Sequence, residues 1–179
     1  MDHHQDMQQE NHQHYREIRR ILPERTAITV LHIGEQETVV ATGTGAEPEK
    51  VLLLAIGPHR TAAEFFLHTP PTPGEIENAI MQVEDEVTLA REMTADHATL
   101  VTSDASIREI AQIAGGHAGP GSPLPVESVE RVFALLAGHS QGRPASSAGI
   151  PGDPAFAAAL LILREFMHHL KFAAIGIAG

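Results

Sequence analysis

The chain has 179 residues, one domain's worth and enough to enclose a substantial core. Its 12 Lys and Arg stand against 23 Asp and Glu, a formal charge of −11 that repels a generic polyanion and speaks against a nucleic-acid partner. The absence of cysteine excludes disulfides, thiolate metal sites and thiol nucleophiles, and 4% aromatic residues leave no base-stacking platform.

All 12 histidines titrate near neutrality, so full protonation would move the charge from −11 to +1 and make solubility and anion affinity sensitive to pH near 6. The first twenty residues have no apolar core of the signal-peptide kind, and no apolar run approaches the roughly 18 residues of a membrane span. A soluble, cytoplasmic protein without a membrane partner is expected.

Residues 1–14 are polar and rich in histidine, with too little apolar surface to offset the entropy of ordering, and read as a flexible tail ahead of a single domain over 15–179. A short helix is expected from Tyr15 to Leu22, and Arg16, Arg19, Arg20 and Arg25 form the one local basic cluster. Thr26 to Ile33 and Thr38 to Thr42 are β-branched runs around a polar turn, which predicts a hairpin. Val51 to Ile56, VLLLAI, predicts a third strand buried on both faces.

A short helix from His59 to Leu67 precedes the prolines. Thr72 as a cap, Pro73 in the first turn and Glu75 and Glu77 at the positive end of the dipole then predict a helix running to about Met93. Its apolar face is Ile76, Ile80, Val83 and Val87, at spacings of four, three and four. Glu84, Asp85 and Glu86 diverge around it and read as a solvated face.

Ala98 to Thr102 predicts a fourth strand, Ser103 or Asp104 a cap, and Ile107 to Ala114 a helix closed by Gly115 and Gly116. Gly119 to Pro125 reads as a loop, Val126 to Ala137 as a helix and Gly138 to Pro154 as a long connection. Ala155 to Leu170 predicts an apolar helix and Phe172 to Ile177 a closing strand, with no internal repeat anywhere. Strands first and alternation afterwards predict an α/β fold, a mixed five-stranded sheet with helices on its faces.

That element order is the order of an actin-like, ribonuclease-H-like domain. The stretch LAIGPHRTAAEFFLHTPPTPGEIENA resembles the second, C-terminal domain of the exopolyphosphatase and guanosine-pentaphosphate phosphatase family, in which a phosphate-loop hairpin is followed by a similar strand, helix and "dPPTpeEl" helix start. VTSDASIREIAQIAGG is similar to the segment holding the family's "GTGGTA" strand-to-helix turn, and the residues from Val129 onward resemble its last helices and strand. The similarity runs from about residue 15 nearly to the C-terminus.

By this resemblance the phosphate-loop positions are His32, Gly34, Glu35, Glu37 and Thr38 in the hairpin and Ser103, Asp104 and Ser106 in the second turn, with Arg60 as a possible phosphate contact. The family hairpin "DIGGGSTEL" wraps a phosphate in glycine N–H groups and holds a metal with its Asp, whereas His32 stands at that Asp and Glu35 and Glu37 bring negative charge. Two like charges about 4 Å apart repel by about 1 kcal/mol in water and more near a protein surface, so the loop would push a phosphate out. At the second turn Asp104 opposes an anion and suffices as a helix cap, and the family's first domain, with its general-base glutamate, has no counterpart here.

The resemblance therefore implies a stand-alone relative with degenerate phosphate-binding loops, a binding or regulatory module whose former interdomain face is covered by a homodimer or another chain. An alternative is a phosphoanhydride hydrolase completed across a homodimer, with Arg60 or the Arg16 to Arg25 cluster on phosphate and Glu35 or Glu37 holding Mg²⁺. His3, His4, His12 and His14 are candidate metal ligands, His12 and His14 as an i, i+2 pair in an extended chain. His32 is read as a polar strand-end residue or, if functional, as a metal ligand with Glu35 or Glu37. His168 and His169 are adjacent on a helix, point about 100° apart and suit its C-terminal dipole. Ser103, Asp104 and a histidine have the composition of a hydrolase triad, but no spacing supports one.

Overall fold

A computed structural model describes residues 3–23, 25–94, 97–116, 122–144 and 149–178, and of residues 3–8 the backbone alone. The chain runs α1 (His3–Arg19), β1 (Ile28–Ile33), β2 (Thr38–Gly43), β3 (Lys50–Leu54), α2 (Pro58–Phe65) and α3 (Pro73–Val87), the last continued by a 3₁₀ turn at Thr88–Ala90. It goes on through β4 (Thr99–Thr102), α4 (Ala105–Ile113), β5 (Leu124–Pro125), α5 (Val126–Ser140), α6 (Pro154–His169) and β6 (Ala174–Ile177). One six-stranded sheet has the order β3-β2-β1-β4-β6-β5. The first three strands form an antiparallel meander, β1–β4 and β4–β6 pair in parallel, and β5 runs antiparallel to β6.

The expected α/β architecture with a mixed sheet is therefore present. The sixth strand is the pair Leu124 and Pro125, inside the segment read as a loop, where Leu124 and Pro125 pair with Ile175 and Ala174. Pro at a sheet's outer strand loses no ladder bond.

Two sequence expectations are corrected. β3 is not buried on both faces: it is the sheet's edge, and of its five residues only Leu54 is buried. A short apolar run does not specify whether a strand will have one neighbour or two. The helix expected from Tyr15 to Leu22 starts earlier and ends sooner: α1 runs His3–Arg19, and its Tyr15 and Ile18 are buried against the sheet. Tyr15 Oη donates to the Gly45 carbonyl at 2.7 Å, and the buried Arg19 guanidinium reaches Tyr15 Oη and the carbonyls of Pro23, Thr26 and Gly43 at 2.7–3.1 Å. These long-range bonds, invisible to local hydropathy, hold the helix down.

Period-two alternation divides β1 between two cores. Leu31 and Ile33 point into the larger one under α2 to α6, while Ile28 and Val30 join Tyr15, Ile18, Ala41 and Val101 under α1. α6 is the axis of the larger core, packed by α2, α3, α4 and α5, and is buried from Phe156 to Met167 except at Arg164. A helix apolar all round belongs inside.

α3 starts as its sequence demands: Thr72 Oγ1 accepts from the Glu75 N–H at 3.2 Å and Glu75 Oε1 accepts from the Thr72 N–H at 2.9 Å, a reciprocal capping box. Ile76, Val83 and Val87 of its expected apolar face are buried and Ile80 is half-buried. At the end of α4, Gly115 takes φ +81°, the left-handed conformation that glycine adopts without strain. No helix among the described residues is long and apolar enough to cross a membrane.

Candidate functional site

The two loops singled out in the sequence lie together at the C-terminal ends of the neighbouring parallel strands β1 and β4. Alternation from Ile28 and Val30 sends His32 to the α1 side, where the His14 ring stacks on it with centroids 3.9 Å apart and planes 20° apart. Asp104, buried at the start of α4, then joins the loops: Oδ1 lies 2.7 Å from His32 Nδ1, and Oδ2 accepts the Ile33 N–H at 2.7 Å. Asp104's own N–H donates to Thr102 Oγ1 at 3.1 Å.

This overturns the reading of Asp104 as a helix cap. It stands at the cap position, but its side chain makes no capping bond. Both oxygens are committed across the sheet, where a buried backbone donor and an imidazole offer a carboxylate more than one helix end does.

The hairpin loop is closed as well. The Gly34 N–H donates to the Glu37 carbonyl at 3.0 Å, and the Glu35 carbonyl accepts from the N–H groups of His59 and Arg60 at 3.0 and 3.4 Å. A Cβ on Gly57 would come within 2.5 Å of the Glu35 oxygen and 2.6 Å of the Gly34 oxygen, so only glycine lets α2 begin this close to the loop. Thr38 is fully buried and spends its hydroxyl on the Ile56 carbonyl at 2.8 Å. Ser103 and Ser106 are half-buried, and Glu35, Glu37 and Arg60 are exposed.

His32 and Asp104 thus meet, as two members of a triad would, but Ser103 makes no hydrogen bond to His32. The carboxylates that the hydrolase reading gives to Mg²⁺, Glu35 and Glu37, are exposed beside the hairpin loop. His32 Nδ1 is engaged by Asp104, and the one group of three or more His, Asp and Glu side chains converging among the described residues lies elsewhere.

The His12 and His14 pair lies on a helix and not in the extended chain its chelation requires. The side chains of His3 and His4 lie outside the described residues; His12 and His14, two positions apart on a helix, point about 160° apart instead of alongside as in an extended chain. Burial and the neighbouring His32 hold the His14 pKa below its ordinary 6.5. In the basic cluster, Arg19 is a buried structural group and Arg16 pairs with Glu47 at 2.8 Å, leaving Arg20 and Arg25 exposed.

A convergence that the sequence reading missed lies between α3 and α6. Glu84 Oε1 and Glu165 Oε2 stand 3.2 and 3.0 Å from the same atom, His169 Nε2. Glu165 is buried, and burial raises its pKa, opposed by Arg164 and His169. The four-residue spacing of Glu165 and His169 on one helix was the available signal. The acidic run is accordingly not all solvent-facing: Glu84 meets His169, Glu86 accepts the Ala55 N–H at 2.8 Å, and Asp85 alone is exposed.

No family model and no curated protein matches the sequence. Solved structures do. A PPX-GPPA enzyme of Aquifex aeolicus superposes with a TM-score of 0.76 over 92% of this chain at 17% identity, and the type II variant of the Aquifex aeolicus Ppx/GppA phosphatase with 0.72 over 93% at 17%. An exopolyphosphatase from Cytophaga hutchinsonii gives 0.68 over 90% at 15%. The matches cover 57%, 58% and 56% of those chains, so this chain spans little more than half their length. The fold that the sequence resemblance implied is the fold observed.

Proposed function

We propose that this chain is a binding or regulatory module built on the fold of an exopolyphosphatase domain, with phosphate loops that no longer receive phosphate. One observation carries the reading. The Asp104 carboxylate occupies the Ile33 N–H and the His32 ring, donors that an anion between the two loops would need. An arriving phosphate must displace a buried carboxylate of its own sign, beside the exposed Glu35 and Glu37. A homodimer or partner protein covers the face that a first domain covers in the two-domain proteins, and a small phosphate-containing ligand, the other partner the resemblance implies, has no place between the closed loops.

The test is thermal unfolding of the purified chain with polyphosphate, ATP or orthophosphate, with and without Mg²⁺. A ligand bound only to the folded state stabilises it by about 2.7 kcal/mol at a hundredfold excess over Kd. A flat series supports the closed-loop reading; a saturable rise overturns it.

The second reading, a phosphoanhydride hydrolase completed across a homodimer, draws support from the bonds of the His59 and Arg60 N–H groups to the Glu35 carbonyl, which set an exposed arginine beside the hairpin loop. Orthophosphate release that scales with the square of protein concentration, and disappears in Arg60→Ala, would favour it.

A further inference from the structure

We propose that Glu84, Glu165 and His169 form a binding site for a divalent transition-metal ion between α3 and α6. The three ligand atoms, one from each side chain, lie within 4.8 Å of one another, and His169 Nε2 is 3.0 and 3.2 Å from the two carboxylate oxygens. In a tetrahedral zinc site with bonds of about 2.0–2.1 Å, adjacent ligand atoms are about 3.3 Å apart, so small side-chain adjustments bring these three to ligand spacing.

The surroundings are arranged to hold this geometry. Glu165 points one oxygen at His169 while Arg164 Nη1 fixes the other, Oε1, at 2.8 Å. Arg164 is itself held by Glu130 at 2.9 Å and stacked on Phe133 with its guanidinium carbon 4.1 Å from the ring centroid. A buried carboxylate with one oxygen clamped and the other aimed is how outer groups orient a metal ligand.

Without a metal, one N–H of His169 faces two carboxylates. A divalent cation would answer both and take the imidazole nitrogen as a third ligand. Two carboxylates and one imidazole suit Zn²⁺, Mn²⁺ or Fe²⁺ better than a soft ion such as Cu⁺. Three protein ligands leave a position for water, and His169 also lines an open concavity of about 380 Å³ with Arg91, Thr94, Leu170 and Lys171. Glu84 is 40% exposed at its side chain, which gives the ion a route in from solvent.

The experiment uses the full chain with His3, His4, His12 and His14 changed to Gln, so that binding by α1 histidines does not intrude. Zn²⁺ titration calorimetry and the visible absorption of added Co²⁺ should show one saturable site. His169→Gln in that background should abolish it, and Glu84→Gln should weaken it by about tenfold or more. Unchanged far-UV circular dichroism and metal-free Tm confirm that both variants fold. Absence of saturable binding in the background protein, or affinity unaltered by His169→Gln, would overturn the site.

Discussion

Two histidine–carboxylate clusters, built from the same functional groups, reach opposite electrostatic states. At the loops, one carboxylate divides its two oxygens between an imidazole and a backbone N–H, so donors and acceptors balance inside the cluster. Between α3 and α6, two carboxylates address one nitrogen, and the excess charge is met in part by Arg164. The first arrangement completes itself; the second has room for a cation. The family of residues at a site therefore says less about ligand capacity than the ratio of donors to acceptors does.

The largest expected effect breaks the balanced cluster. Asp104→Ala leaves the buried Ile33 N–H without an acceptor and removes two charge-assisted bonds, and should cost about 3 kcal/mol in chemical denaturation. If that cost is instead within about 0.5 kcal/mol, the bonds across the loops do not close them. Next is Gly57→Ala, whose Cβ would force the hairpin loop away from α2 and should cost about 2 kcal/mol by the same measurement. Since Gly57 lies outside the carboxylate contacts, its variant separates loop closure by packing from closure by charge.

A cap away from both clusters calibrates the scale: Thr72→Ala should cost about 1 kcal/mol. Glu75 in the same box has its pKa lowered to about 2, chiefly by the Thr72 N–H. A depressed carboxyl pKa contributes stability that is present above the ordinary value of 4.5 and lost as pH falls towards 2, so Glu75→Gln should flatten the acid limb of the stability curve in that window.

The smallest effect concerns His14. Its folded pKa is depressed, so the unfolded chain takes up the proton more readily and stability falls as pH drops below 6.5. His14→Phe keeps a ring on His32 and should remove this component, measured as a shallower fall in Tm between pH 7 and pH 5. An unchanged slope would place the pH sensitivity elsewhere among the histidines.

What the sequence disclosed was local. Thr72, Pro73 and Glu75 announce α3 within four residues, and the alternation of β1 follows from period two. What it withheld depended on distant partners. Asp104 is competent to cap α4 and gives no local sign that residues 32 and 33 will claim it. VLLLAI is as apolar as a central strand, yet lies at the edge because β1 pairs on its other side with β4. Glu165 is a charge in an otherwise apolar helix; its departure from the pattern was visible, but the convergence of Glu84 was not. α1 has low mean hydropathy, and it is the tyrosine and arginine bonds to residues 23–45 that make it part of the domain.

The place of β6 has a consequence for synthesis. Residues 174–177 lie between β4 and β5, so those two strands have no shared neighbour until the ribosome has released almost the last residues described. The meander β1-β2-β3 can assemble early, but β5 must wait for a partner that comes about fifty positions later. A nascent chain stalled before residue 174 would hold a four-stranded sheet whose β4 edge is open, and premature termination there should yield a species prone to pairing with its neighbours.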